Sequence, residues 1–290
     1  MAAATHRKSR VFTNPVALFL LLPSLIVLLG VFILPMLYLL FLSFQDEHQQ
    51  FTFKNYLLFV QDPYYLKILW RTIRVSLWTV ICCLVLGLPV AMYMSKATGK
   101  MRGVITFLII SPHLISVVIR NFGWVIILGE KGWINNTLIK LGLIDKPLRL
   151  LYNELGVVIG LTDSFLVYMV LALATSLYAI DPSLHKAASI LGASRIRSFF
   201  TLTLPLTLPG IIAGTTLVFS LCMSAFVTPA LMGGTSVKVL PVITYEKIMA
   251  TLNWPLGAAL AFLMLASTLL LVSLFTRLVE TRRYKEVFSS

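Results

Sequence analysis

The sequence has few charged residues and few residues of the kinds that build catalytic or metal sites. Of its 290 residues only 12% are Asp, Glu, Lys or Arg, about half the share that is usual in soluble domains. It contains no Cys-x-x-Cys pair, which would predict a metal or redox site. Its three cysteines, Cys82, Cys83 and Cys222, lie in apolar runs, where a small buried side chain is the ordinary interpretation.

Signatures of nucleotide binding and of hydrolytic catalysis are absent as well. A phosphate-binding loop requires G-x-x-x-x-G-K followed by Ser or Thr, whereas the single Gly-Lys pair, Gly99-Lys100, is followed by Met101. Neither a G-x-S-x-G nucleophile elbow nor an H-E-x-x-H helix occurs. We therefore expect a protein that is not an enzyme, holds no metal and binds no cofactor itself.

Apolar residues, by contrast, make up 58% of the chain and are gathered into long runs. A helix needs about 20 mainly apolar residues to cross a bilayer, and six segments meet this condition. The sequence therefore predicts an all-α polytopic membrane protein. Its net charge of +13 is explained by basic loops beside the lipid bilayer, so no nucleic acid is expected as a partner. The predicted spans are 16–44, 72–94, 104–128, 155–179, 208–232 and 254–276.

Lysine and arginine are concentrated on one side of these spans. With the N-terminus in the cytoplasm, the cytoplasmic pieces hold 13 cations and three acids, and the rest of the chain holds 11 cations and eight acids. Because cytoplasmic loops carry the excess of Lys and Arg, both ends, 1–15 and 278–290, are predicted to be cytoplasmic. The first apolar run is too long for the core of a cleaved signal peptide, so we interpret it as a permanent first helix.

The longest outer segment, roughly 129–154, contains apolar residues at near-helical spacing: Trp133, Leu138, Leu141 and Ile144. This spacing predicts a short helix. It either lies on the outer surface of the membrane or forms an ordinary helix within the loop.

The cytoplasmic segment between the fourth and fifth spans has an unusual composition. Asp181 followed by proline is a typical helix start. Leu184, Ala188 and Leu191 then follow on one helical face, and Gly192 can end the helix. Small residues in this segment allow another surface to approach the backbone closely. The pattern predicts either a docking site for a partner or a helix that rests on the lipid surface.

Two glycines four residues apart, Gly210 and Gly214, open the predicted fifth span. Small residues at this spacing let helix backbones approach closely in membranes. Pro205 and Pro209 sit near the start of the same span, where a missing N–H costs little. We expect the fifth span to pack closely on another helix.

The segment between spans four and five also resembles a family motif. The inner-membrane permeases of binding-protein-dependent ABC importers carry Glu-Ala-Ala, three residues, Gly, nine residues, Ile, one residue and Leu-Pro. The stretches 131–150, 224–234 and 253–262 look most like spermidine/putrescine-type permeases, and the resemblance covers residues 67–277. The positions here that correspond to the motif are Lys186, Ala187, Ala188, Gly192, Leu202, Leu204 and Pro205.

The resemblance implies a type I ABC importer permease fold with six transmembrane helices. A first helix at 16–44 would precede a permease domain at 67–277, with a cytoplasmic coupling helix in the region 183–200. The residues implied to dock on an ATPase are Lys186, Ala187, Ala188, Leu191, Gly192, Ala193 and Ser194.

The same resemblance implies a subunit of the bacterial inner membrane that forms the translocation pathway for a small organic solute. A polyamine or related amine is the leading substrate, with amino-acid derivatives, opines and aminophosphonates as alternatives. The implied partners are a second permease in a heterodimer, two ATPase subunits that bind ATP-Mg, and a periplasmic substrate-binding protein. A stand-alone secondary transporter is the alternative from a different class, and it would predict internal repeats, of which none is clear.

One departure from the family pattern concerns the start of the motif. Acidic residues are common there in the family, whereas this chain has His185 and Lys186. A salt bridge from the family's glutamate to an ATPase arginine therefore cannot be transferred to this chain. Our hypothesis is that the partner's groove bears a carboxylate opposite Lys186.

Only three formal charges lie inside the predicted spans. Arg74 is near a span end and is expected to extend its charged end toward the interface. Arg120 and Asp163 each lie about 12 Å below the outer end of their spans, at about 1.5 Å per residue. They either form a structural ion pair, or Asp163 faces the pathway and meets a cationic substrate. Weaker pathway candidates, for which packing is the alternative role, are Tyr168, Ser220, Ser224 and Phe226.

Overall fold

The computed structural model describes residues 15–46 and 49–279, whose regular elements are all helices. The predicted cytoplasmic ends, 1–15 and 278–290, lie outside the described residues except for Pro15 and the backbone of 278–279. The helices are α1 (15–43, including a wider turn at Leu28–Ile33), α2 (Lys54–Gln61), α3 (Pro63–Lys96), α4 (Gly99–Ile110), α5 (Val117–Leu128), α6 (Trp133–Lys140), α7 (Glu154–Tyr178), α8 (Pro182–Ile190), α9 (Arg195–Ser198), α10 (Leu208–Ser224), α11 (Leu240–Tyr245) and α12 (Trp254–Val279).

Four of these helices, α1, α3, α7 and α12, are long and apolar enough to cross a membrane. Two further candidate spans are bent pairs. Gly99–Leu114 meets Val117–Lys140 at 92°, and Arg195–Leu206 meets Leu208–Ser224 at 61°. Within the described residues there are therefore four candidate spans, or six if each bent pair is counted as one span.

The third span, predicted as one helix over 104–128, is wrong in its continuity. Helix α4 tightens into a 3-10 turn at Ser111–Leu114, the chain then extends, and α5 begins after Ser116. Pro112 lies within the tight turn, and a proline ring removes the backbone donor that a continuing α-helix would need. The Ser116 hydroxyl accepts from the Val118 backbone N–H at 3.3 Å and so starts the new helix.

The second and fifth spans differ from prediction in length. Helix α10 ends at Ser224 rather than near 232, because a proline at 229 cannot donate to the carbonyl of Ala225 and its ring would clash there. Helix α3 begins nine residues earlier than predicted, at Pro63, and has 34 residues. At about 1.5 Å per residue it is about 51 Å long and therefore exceeds the roughly 30 Å hydrocarbon core of a bilayer.

Helices α3, α7 and α10 pack on one another and form the centre of the molecule, while α1 packs along α12. The close approach expected of the fifth span is confirmed. A Cβ atom on Gly210 would lie 2.6 Å from Cβ of Ser176, and one on Gly214 would lie 2.7 Å from Sδ of Met169. Buried side chains shared by the three helices include Val80, Cys83, Met169, Leu173, Val218, Cys222 and Met223.

The short helix predicted within 129–154 is present as α6, although it ends at Lys140 and does not reach Ile144. Asn135 fastens it to its own loop. This buried side chain donates to the carbonyls of Gly129 and Leu148 at 3.0 Å and accepts from the Leu148 N–H at 2.8 Å. The helix is thus fixed by a polar anchor, while Trp133 is exposed.

Arg74 has a partner that the sequence prediction did not include, because its guanidinium pairs with Glu154 at the start of α7. Arg71 Nε lies 3.4 Å from the same carboxylate, and its Nη1 donates to the Ser236 carbonyl at 3.5 Å. These contacts join α3 and the start of α7 to the segment before α11. A partner 80 residues away in sequence was outside the reach of a span-by-span argument.

Candidate functional site

Helices α8 and α9 form a hairpin, residues 181–198, directly after α7. The Ser183 backbone N–H donates to the Asp181 carboxylate at 2.8 Å, and this hydrogen bond lowers the pKa of Asp181. Gly192, with φ of 78°, ends α8. Its N–H donates to the Ser189 carbonyl, and the Ala193 N–H donates to the Ala188 carbonyl, both at 3.0 Å. This is the Schellman end of a helix, so the predicted start and stop are both confirmed.

The apolar side chains of the hairpin are largely uncovered by the chain itself. Leu191 is 86% exposed, and Leu184, Ile190 and Ile196 are exposed as well. Clustered exposed apolar residues mark a surface for a protein partner or for lipid. Of the residues implied to dock, five are exposed and two are half-buried; the half-buried two are Ala188 and Ala193.

The two basic residues at the start of the motif differ in their surroundings. His185 Nδ1 lies 3.4 Å from Oγ of Ser198, across the hairpin. Lys186 is exposed and forms no ion pair with any of the residues that the structure describes. The charge of Lys186 is therefore directed to solvent, where a partner can meet it.

A second set of residues meets inside the predicted spans and is called the polar cluster: His113, Arg120, Asp163 and Tyr168. Arg120 Nη1 on α5 lies 3.5 Å from Asp163 Oδ2 on α7, which confirms that the two charges lie at the same depth. The rings of His113 and Tyr168 stand perpendicular with centroids 5.1 Å apart. The tight turn, α5 and α7 each contribute to the cluster.

The charges in the polar cluster are incompletely satisfied. The side chain of Arg120 is 11% exposed and that of Asp163 is 28% exposed. Within the described part of the chain, Nε and Nη1 of Arg120 and Oδ2 of Asp163 are buried without a hydrogen bond. A buried ion pair repays its desolvation only with good geometry and further hydrogen bonds. The cluster therefore has unused hydrogen-bonding capacity.

The remaining pathway candidates have contacts of their own, outside the polar cluster. Ser220 donates to the Thr216 carbonyl at 2.8 Å, and exposed Ser224 donates to the Ser220 carbonyl at 3.2 Å. The ring of Phe226 lies 4.4 Å from that of Tyr245 between centroids. Ser220 also lines an open groove of about 450 Å³ along α10.

His113 is the member of the polar cluster that sequence reasoning missed. It was counted as part of an uninterrupted span, although Ser111-Pro112 directly precedes it. A serine-proline pair disfavours continued helix, and this was the signal that could have found the turn.

The comparisons with known proteins agree on one family. Residues 83–284 match the family described as "Binding-protein-dependent transport system inner membrane component". The spermidine/putrescine transport system permease protein PotB of Escherichia coli (strain K12) is 37% identical over 209 residues, which cover 72% of this chain and 76% of PotB. PotB of Haemophilus influenzae is 35% identical over 216 residues, covering 74% of this chain and 76% of the relative.

Among solved structures, the chain is similar to a subunit of a bacterial ABC transporter involved in the import of the acidic polysaccharide alginate. The TM-score is 0.78, with 18% sequence identity over 91% of this chain and 94% of the other. At this identity the likeness concerns the fold alone.

Proposed function

Because the chain belongs to the family of binding-protein-dependent transport system inner membrane components, we propose that it forms part of the translocation pathway of an ATP-driven importer for a polyamine or a related small amine. As a member of this family it is an inner-membrane permease subunit of an ABC importer and not an enzyme. The finer assignments, to the amine, to the partners and to the orientation, are proposals.

The observation that carries the proposal is the α8–α9 hairpin. Its exposed apolar side chains follow directly on α7, a central helix of the core. We propose that the hairpin seats in a groove on an ATPase subunit, so that ATP-driven motion of the ATPases reaches α7. The proposed assembly contains two ATPase subunits that bind ATP-Mg, a second, different permease, and a periplasmic substrate-binding protein, with both termini of this chain in the cytoplasm.

Two observations support an amine as the substrate. The relatives at 35–37% identity are named for spermidine and putrescine. Asp163, a carboxylate in the membrane interior, is partly exposed, and an intramembrane carboxylate of this kind is typical of a cation pathway. Amino-acid derivatives, opines and aminophosphonates also carry amines, but they bring anionic groups as well.

Uptake into proteoliposomes that contain the whole importer tests the proposal. Spermidine and putrescine are expected to accumulate only with ATP, and vanadate should stop the accumulation. Amine-free solutes should not compete. Accumulation without any ATPase would support a secondary transporter. Competition only by opines or aminophosphonates would show that these compounds, and not polyamines, are the substrate class.

The docking surface is tested separately with Leu191→Asp. A carboxylate at this position would be buried without a partner, so retention of the ATPase during purification should fall by about tenfold or more. Leu141→Asp is the matched control, because Leu141 is an exposed leucine, 67% exposed, beside α6. Unchanged retention in Leu191→Asp would contradict the docking proposal.

The hypothesis of a carboxylate opposite Lys186 has its own variant. Lys186→Glu places like charges together and should weaken both ATPase assembly and uptake, while Lys186→Gln should weaken them less. Assembly and uptake at wild-type levels in Lys186→Glu would exclude the compensating carboxylate.

A further inference from the structure

The break between α4 and α5 lies within an apolar span, where irregular backbone is unusual. Non-helical backbone at membrane depth is tolerated only where it is buried in protein or lines a water-filled cavity. Leu114 is 77% exposed, and Ile115 and Ser116 are exposed too, so this chain does not bury the break. In a membrane, the break is therefore expected to face either a water-filled cavity or the surface of another subunit.

The same break brings chemically active side chains together. His113 lies in the tight turn itself and contacts Tyr168 ring to ring. It is also within electrostatic range of both Arg120 and Asp163. His113 thus has Tyr168 as a ring partner and the charges of Arg120 and Asp163 in its surroundings, and these residues come from three separate elements.

The ion pair in this site is asymmetric. Oδ2 of Asp163 is buried and turned toward Arg120, so the exposed part of the carboxylate side chain lies elsewhere. Arg120 is the more deeply buried of the two, at 11% exposure against 28%. The Asp163 side chain is therefore the more accessible of the two charged groups.

We propose that a primary ammonium group of the transported solute binds Asp163 at the break, beside the rings of Tyr168 and His113. Ammonium groups bind carboxylates through charge-assisted hydrogen bonds and are attracted to aromatic faces. Arg120 is a positioning residue that holds the carboxylate in place. The proposal rests on the proposed function and specifies how the substrate is recognised within the membrane.

Arg120 also explains why such a site would release its solute. A lone buried carboxylate would hold an ammonium tightly, whereas a carboxylate already paired with a guanidinium attracts it less. Transport requires binding that is favourable enough for entry and weak enough for exit. A partly exposed carboxylate paired with a more deeply buried guanidinium meets both conditions.

The test uses the complete importer in proteoliposomes, with radiolabelled spermidine and putrescine as probes. Asp163→Asn should lower the maximal uptake rate by about tenfold or more, the loss expected for one charge-assisted hydrogen bond. Affinity of the probes for the binding protein and assembly with the ATPase should not change. Wild-type uptake by Asp163→Asn would overturn the proposal.

The double variant Arg120→Asp with Asp163→Arg separates recognition from folding. It keeps an ion pair at the same depth but moves the carboxylate to the more buried position. The complex should therefore assemble and hydrolyse ATP while uptake falls by about tenfold or more. Wild-type uptake by this variant would make the pair purely structural and overturn the proposal.

Tyr168 provides a test that leaves the charges intact. Tyr168→Phe keeps the ring and should retain uptake, whereas Tyr168→Leu should lower it by about two- to fivefold, in line with one lost cation–π contact. Equal uptake by the two variants would contradict the site even if the charge variants failed to assemble. If the wild-type importer moved only amine-free solutes, the proposed substrate class would fail together with this site.

Discussion

A close contact between α7 and α10 is made at a residue with no side chain, Gly210. A Cβ atom on Gly210 would lie 2.8 Å from the Ala172 carbonyl oxygen as well as against Ser176. Gly210→Ala should therefore force α10 away from α7 and lower the free energy of unfolding by about 1–3 kcal/mol. Denaturant unfolding of the purified chain in detergent measures this.

The matched control for that substitution is Gly123→Ala in α5, because a Cβ atom there has no neighbour within 4 Å. Removing a glycine from a helix without strain stabilises by about 0.4–1 kcal/mol. A Gly210→Ala variant as stable as the Gly123→Ala variant would contradict the close contact of α10 with α7.

The roles of single residues could be predicted where they depend only on nearby residues in the sequence. The cap at Asp181, the stop at Gly192 and the equal depth of Arg120 and Asp163 all follow from neighbours in sequence or from counting along a helix. Glu154 was not found as the partner of Arg74, because that pairing depends on how two distant helices are set side by side.

At the scale of elements, apolar length identified the four continuous candidate spans but could not reveal the bends in the other two. The energy of transfer into lipid depends on composition, which a break of four to six residues barely alters. Proline 112 was the local signal for the break after α4, and proline 229 was the signal for the early end of α10. The 92° bend and the short α10 could not be predicted from these prolines alone, because both depend on how the surrounding helices pack.

A cation–π contact links the end of α7, just before the α8–α9 hairpin, to the broken span. The guanidinium carbon of Arg102 in α4 lies 3.8 Å from the ring centre of Tyr178, the last residue of α7. Because α4 leads to the break, Arg102→Ala should weaken transmission from the hairpin. We expect uptake to fall by about two- to fivefold, the equivalent of about 0.5–1 kcal/mol, with ATPase assembly retained.

Lys100→Ala is the matched control for this link, since Lys100 is an exposed cation of the same helix. Arg102→Lys keeps a cation near the ring, so its uptake rate should lie between those of the wild type and Arg102→Ala. Full uptake by Arg102→Ala in reconstituted importer would exclude the link.

At the scale of the whole molecule, the orientation in the membrane is a prediction from the distribution of charge. In a Cys82→Ala background, where Cys83 and Cys222 are buried, a Ser189→Cys variant places a thiol on the hairpin and a Lys140→Cys variant places one on α6. A membrane-impermeant maleimide should label only Lys140→Cys in spheroplasts with an intact inner membrane. After permeabilisation, the maleimide should label Ser189→Cys as well. Labelling of Ser189→Cys in intact spheroplasts would show that the orientation is the reverse of the one proposed.

Helix α3 is attached to α7 near both of its ends, with Pro89 between the two attachments. Near one end Arg71 meets Glu154, and near the other the Tyr178 hydroxyl donates to the Met94 carbonyl at 3.4 Å. These two attachment points are about 35 Å apart along the helix at about 1.5 Å per residue. By the same geometry, a tilt of about 5° shared by the two helices displaces one attachment by about 3 Å relative to the other. A slight rocking at one end of this helix pair therefore reaches the other end as a shift as wide as a water molecule.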